Sequence, residues 1–234
     1  VSTTSPPVAP DVTPADAFTL TDRQVADLLR GAPWRRFAGV GDSVVEGVRS
    51  PAPGYRDLSW TDRIVAGVRA HQPDLVERNL GQRGLLTAAV RQQQLGPALT
   101  FRPDLAVVVA GGNDVFRDRL DTAAVEAELT TMVRELRAIG SDVVTVGLFD
   151  ISQIDPAAPT AGLVRRRIRT LADLTGAVAE RHGALHVDFS RHPAGVDPSI
   201  YSDDRLHLNA RGHAVTAAEV IRRLSAALDE RGLR

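Results

Sequence analysis

Cysteine is absent from the 234 residues. That excludes disulfides, thiolate zinc sites, iron–sulfur clusters and a cysteine nucleophile. Lysine is absent too, so all 28 basic residues are arginine. A phosphate-loop lysine, a Schiff-base lysine and a Ser–Lys dyad are thereby excluded. Aromatics are only 4% of the chain, too few for an obvious row of stacking platforms. No apolar run approaches the roughly 18 residues of a membrane span. Charge of one sign is also lacking: 28 basic against 29 acidic residues give a formal net charge of −1. Such a balance leaves no electrostatic footprint for nucleic acid or an anionic membrane. The N-terminus shows no basic stretch followed by an apolar core, so the chain as given reads as cytoplasmic, unless a signal preceded Val1.

What is present is ordinary for a globular chain, with 43% hydrophobic and 24% charged residues. The length suits one domain with a sizeable core. Residues 1–19, with Pro6, Pro7, Pro10 and Pro14, read as an extended tail, and residues 20–234 as a single domain. Beyond the tail, two hydrophobic periods alternate. Strands are expected at 36–40, 75–80, 104–110, 142–148 and 185–189. The run Leu105-Ala106-Val107-Val108-Val109 fits a strand buried on both faces. Helices are expected at 21–30, 59–70, 85–99 (broken near Gly96-Pro97), 121–139, 163–182 and 210–228. The stripe Val125, Leu129, Met132, Val133, Leu136 is the clearest.

Five strands alternating with helices predict an α/β fold: a three-layer α/β/α sandwich around a five-stranded parallel sheet. Right-handed crossovers favour the flavodoxin-like order 2-1-3-4-5. Its switch point lies between strands one and three, where ligands bind beyond the carboxyl ends. Residues after Val40 and after Ala110 should therefore face each other across a crevice.

Four polar blocks follow those strand ends: Gly41-Asp42-Ser43, Asn79-Leu80-Gly81, Gly111-Gly112-Asn113-Asp114, and Asp204-Arg205-Leu206-His207. Each alone is compatible with turn or capping chemistry. Together at one end of one sheet they fit acyl transfer. A serine hydroxyl needs a base to take its proton, and His207 can serve. Asp204, three residues earlier, can fix the imidazole tautomer; Asp203 is its rival. The Ser43 and Gly81 backbone N–H groups and the Asn113 amide are candidate donors to an oxyanion. Glycine at 81 would let the backbone come close to a substrate.

These blocks, in this order over about residues 37–228, resemble the SGNH or GDSL-type hydrolases. The resemblance implies Ser43 as nucleophile, Asp204 and His207 as its triad partners, and Ser43, Gly81 and Asn113 as the oxyanion hole. It also implies the same sandwich fold, an ester substrate, and no metal or organic cofactor. The block continues Val44-Val45-Glu46-Gly47, where many members carry a small or hydroxyl residue near position 45, and Glu46 is read as a solvated loop carboxylate.

Other readings fit less well. The dinucleotide fingerprint fails because Val44 stands where its third glycine belongs. The Gly-x-Ser-x-Gly elbow fails at Val45. A metal site from Asp203, Asp204, His207 and His213 lacks a helical histidine pair. Arg165, Arg166, Arg167 and Arg169 read as a solvated helix face. A carboxylic ester hydrolase for small to medium acyl groups is expected. Acyl transfer to an alcohol, sugar deacetylation, thioester cleavage and a non-catalytic binding module remain as alternatives. Long connections at 44–58, 149–160 and 190–201 are expected to cover the site.

Overall fold

In the computed structural model, residues 16–233 are described. The sheet strands are β1 (Arg36–Gly41), β2 (Val76–Asn79), β3 (Leu105–Val109), β4 (Asp142–Gly147) and β5 (Leu185–Asp188). All neighbours pair in parallel, in the order β2-β1-β3-β4-β5. The expected topology is the observed one.

Helices α1 (Asp22–Leu28), α3 (Trp60–Arg69) and α8 (Ala210–Glu230) share one side of the sheet. Helices α4 (Thr87–Phe101), α6 (Thr122–Ala138) and α7 (Ala161–Arg181) cover the other. Two four-residue helices, α2 (Ser43–Glu46) and α5 (Gly112–Val115), begin directly beyond β1 and β3. Every residue of β3 is buried, whereas β2 is an exposed edge. The five apolar residues of the α6 stripe are all buried, each stabilising the fold by roughly 1.5–3 kcal/mol. Two core clusters result, one on each face of the sheet.

One expectation needs correction. Helix α4 does not break at Gly96-Pro97; it continues to Phe101. A proline disfavours helical geometry in the preceding residue partly through that residue's Cβ. Gly96 has none, so only one hydrogen bond is lost. The helix ends instead at Arg102 (φ 52°), just before Pro103. Of the tail, only the last residues are described. Residues 1–15 lie outside the described residues. The stretch 16–19, however, packs on the body. Thr19 is buried, Phe18 lies against the core and the His192 ring, and Asp16 accepts from Arg211 and Tyr55.

Candidate active site

The site is built from the carboxyl end of β1 outward. Asp42 caps α2 by accepting the Val44 N–H through Oδ1 at 3.0 Å. This sets Ser43 as the first helical residue, where its own N–H has no intrahelical acceptor. Gly41 is required by space: a Cβ there would meet the Val109 carbonyl oxygen at 2.2 Å. Beyond the end of β2, Gly41 is held by the buried Gln94 side chain, which accepts its N–H (2.7 Å) and donates to its carbonyl (2.9 Å), and by the Gln82 N–H.

The opposing wall is the turn between β5 and α8. Tyr201 and Leu208 form an antiparallel bridge, and the Ser202 N–H donates to the His207 carbonyl at 2.8 Å. Asn209 caps α8 through its oxygen, accepting from Arg211 and Gly212. Its amide donates to the Ser199 and Tyr201 carbonyls. Inside the turn, Asp204 Oδ1 accepts from Ser202 Oγ and from the Leu206 and His207 N–H groups.

Across this gap the three side chains meet. His207 Nδ1 lies 2.6 Å from Asp204 Oδ2, and His207 Nε2 lies 3.0 Å from Ser43 Oγ. Asp204, not Asp203, makes the contact. Its partial burial favours the neutral acid, but its hydrogen bonds from His207, Ser202 and two backbone N–H groups prevail. Its pKa is held well below the ordinary carboxylate range. An ionised Asp204 fixes the proton of His207 on Nδ1 and leaves Nε2 to face the hydroxyl.

Asn113 faces Ser43 across the switch point, as expected: both line one cavity. Its Nδ2 donates to the Leu85 carbonyl at 2.9 Å and makes a long 3.4 Å contact with Asp42 Oδ2. The second hydrogen is thus weakly held. Gly81 is placed differently. Its N–H donates to Asn79 Oδ1 at 2.9 Å, and it is not among the residues lining that cavity. The close approach that needs glycine is to α2, since a Cβ would meet the Glu46 nitrogen at 2.2 Å.

Asp42 is 1% exposed, and burial pushes its carboxyl up to about 6. The charge of Asp114 adds to this, while the Val44 N–H and His207 oppose it. Asp114 itself accepts from the N–H and hydroxyl of Thr87, tying α5 to α4.

Several contributors escape sequence reasoning. Glu46 is not simply solvated. It accepts the Arg83 N–H at 2.6 Å and pairs with its guanidinium, which lowers the Glu46 pKa and clamps the Gly81 loop to α2. Nor are the α7 arginines a solvated face throughout. Arg167 donates to the carbonyls of Val115, Arg117 and Asp118, and Arg165 pairs with buried Asp150. Arg167 therefore braces the segment after Asn113. A polar residue three or four positions from these arginines would not have flagged the contact, because the partners are carbonyls.

His213 belongs to no metal cluster. Its Nδ1 accepts from the Trp60 N–H (3.3 Å) and its Nε2 donates to the Val48 carbonyl (3.0 Å). Among the described residues, no group of three or more His, Cys, Asp or Glu has metal-ligating geometry. No helix among them is long and apolar enough to cross a membrane.

The three-layer sandwich, with a Ser–His–Asp array beyond its central strands, defines the class of α/β ester hydrolases. The model of the GDSL-like lipase/acylhydrolase family matches residues 40–215, and the chain belongs to that family. It is a carboxylic ester hydrolase of this type. No curated protein matches. Similar solved structures include the acetylxylan esterase Axe2 from Geobacillus stearothermophilus. It is 20% identical, with a TM-score of 0.63, over 81% of this chain and 94% of that one. LAE5, an alpha/beta hydrolase from the metagenome of Lake Arreo, Spain, is 23% identical. Its TM-score is 0.64, over 82% of this chain and 95% of that one.

Proposed function

We propose that the chain cleaves carboxylic esters through an acyl-enzyme on Ser43, with a small to medium acyl group. The carrying observation is the continuous contact from Asp204 through His207 to Ser43, at 2.6 and 3.0 Å. Ser43 Oγ attacks the ester carbonyl carbon while its proton passes to His207 Nε2. The tetrahedral intermediate collapses as the alcohol leaves with that proton. Water then repeats the sequence and releases the acid, restoring Ser43. Asp204 stabilises the imidazolium formed in each half. The Ser43 N–H and the weakly held Asn113 hydrogen are the oxyanion donors. Gly81 joins them only if its N–H leaves Asn79.

Variants of Axe2 described as catalytic mutants change a serine, a histidine, and an aspartate three positions before that histidine. Asp204 and His207 share that spacing. The name of that relative also favours a second reading, removal of acetyl groups from a sugar.

The test is a pre-steady-state burst of p-nitrophenolate from a p-nitrophenyl ester, with mass spectrometry of the quenched protein. The expected result is a stoichiometric burst and an acyl mass increment on the peptide containing Ser43, both missing in Ser43→Ala. Turnover in Ser43→Ala at the wild-type rate would overturn the assignment.

A further inference from the structure

The cavity that holds Ser43 and His207 continues well into the protein, with an internal volume of about 100 Å³. Its inner wall is made by Val146, Phe149, Phe189, Tyr201, His213 and Thr216, each at most 7% exposed. They come from β4, the segments after β4 and β5, and α8, all on the α1/α3/α8 side. The outer rim carries Phe116 and Leu206, which are 51% and 44% exposed.

Apart from Asp42, which lines the cavity beside Ser43, the buried polar groups of this wall are engaged within the protein. Tyr201 donates its hydroxyl to the Gly195 carbonyl at 3.0 Å. Both ring nitrogens of His213 are bonded to backbone. Thr216 Oγ1 donates to the Gly212 carbonyl at 3.0 Å. Burial also lowers the His213 pKa, so the ring brings no charge to the wall. A sugar hydroxyl placed here would lose its water and find no partner, which is costly. A hydrocarbon chain would lose only unfavourable contact with water.

Resting on the acyl-enzyme reading above, we propose that this cavity is an acyl pocket for a linear aliphatic chain of about four to eight carbons. A methylene is about the size of a water, and the volume holds several. The acid part of the ester points inward, and the alcohol stays at the Phe116–Leu206 rim. The pocket thus separates this chain from an enzyme built for acetyl groups alone, which leave it largely unfilled.

The experiment is kcat/KM for p-nitrophenyl acetate, butanoate, hexanoate, octanoate and dodecanoate, which share one leaving group. Expected is a rise of about fourfold per added methylene to a maximum between butanoate and octanoate, then a fall at dodecanoate. Val48→Phe, a substitution at a partly exposed position of the lining, is expected to lower octanoate relative to acetate by at least tenfold. Acetate as the best substrate, or an unaltered profile in Val48→Phe, overturns the pocket. Should no ester be cleaved, it is the acyl-enzyme reading that fails. The pocket is then judged by binding: octanoate, but not acetate at equal concentration, should raise the Tm of Ser43→Ala. No difference between the two overturns it.

Discussion

The two ends of the sheet treat buried carboxylates in opposite ways. At the amino end, Asp142 accepts from the Trp34 indole at 2.8 Å and from both terminal nitrogens of Arg231 at 2.6 and 2.7 Å, with Arg137 at 3.2 Å. Burial alone would raise its pKa, but these donors bring it below the usual value. Nearby Asp104 accepts the N–H groups of Arg35 and Arg36. At the carboxyl end, Asp42 is buried more deeply and has only one good donor and one long contact, so its pKa rises to about 6. Saturated carboxylates hold the sheet together. The unsaturated one lies beside the serine, where a second donor, Asn113, has to stay available. The difference teaches where stability and chemistry have been separated in this fold.

The sharpest way to break the comparison is a pair of substitutions at opposite ends. Asp204→Asn should lower kcat by about 10³–10⁴-fold with little change in Tm, because its turn is partly exposed. Asp203→Asn should leave kcat within about twofold, and a reversal of the two would move the triad carboxylate. Asn113→Ala should lower kcat by roughly 10²–10³-fold and change KM much less; an unchanged kcat would remove Asn113 from the oxyanion hole. At the amino end, Asp142→Ala takes the acceptor from Arg231 and from the Trp34 N–H, while Arg137 keeps the Ser141 carbonyl. It should cost about 1–3 kcal/mol of stability in urea unfolding, mostly from the stranded indole N–H, while the folded protein keeps its kcat. Loss of kcat at full stability would mean that the two ends are coupled.

The pH dependence of stability sharpens the same contrast. Asp42 has a folded pKa of about 6, above its unfolded value. The folded state therefore binds the proton more tightly, and Asp42 makes stability fall as pH rises from about 4 to 6. The total is up to about 3 kcal/mol. Asp142 has the opposite sign: its lowered pKa contributes stability above the unfolded value, lost as pH falls through the folded one. In Asp42→Asn, stability relative to wild type should improve as pH rises from about 4 to 6 and level off above that. A pH-independent difference would show that Asp42 does not titrate in this range.

Much of this was legible in the sequence because it is written locally. The β3 run, the α6 stripe and the alternation of elements sufficed for the layers and the strand order. The blocks at Ser43, Asn113 and His207 sit at strand ends that the topology brings together, so the crevice followed. What was not legible depends on partners far along the chain. Arg167 looked solvated because its acceptors are backbone carbonyls about 50 residues away. Gln94 gives no pattern at all, although it completes the hydrogen bonding of Gly41. Gly81 was expected to bring the backbone close to a substrate; the close approach at this position is to α2. Helices α2 and α5 are too short to carry a period, and the cavity wall is assembled from stretches scattered from Asp42 to Thr216.

The smallest effect tests whether the histidine turn is tuned by conformation or by side chain. Arg205 is one of two non-glycine residues with positive φ among those described, at 55°. Its N–H donates to the Ser202 carbonyl, closing the turn whose next two N–H groups converge on Asp204. An L-residue there has a steric cost of about 1 kcal/mol, which the site tolerates because the turn holds His207 against Ser43. Arg205→Gly relieves that cost but adds unfolded-state entropy of roughly 0.5–1 kcal/mol. The two nearly cancel, so the net gain should be about 0.5 kcal/mol or less, read in urea unfolding, with kcat unchanged. A fall in kcat without a change in stability would instead give the Arg205 side chain a part in the reaction that the backbone geometry of the turn does not account for.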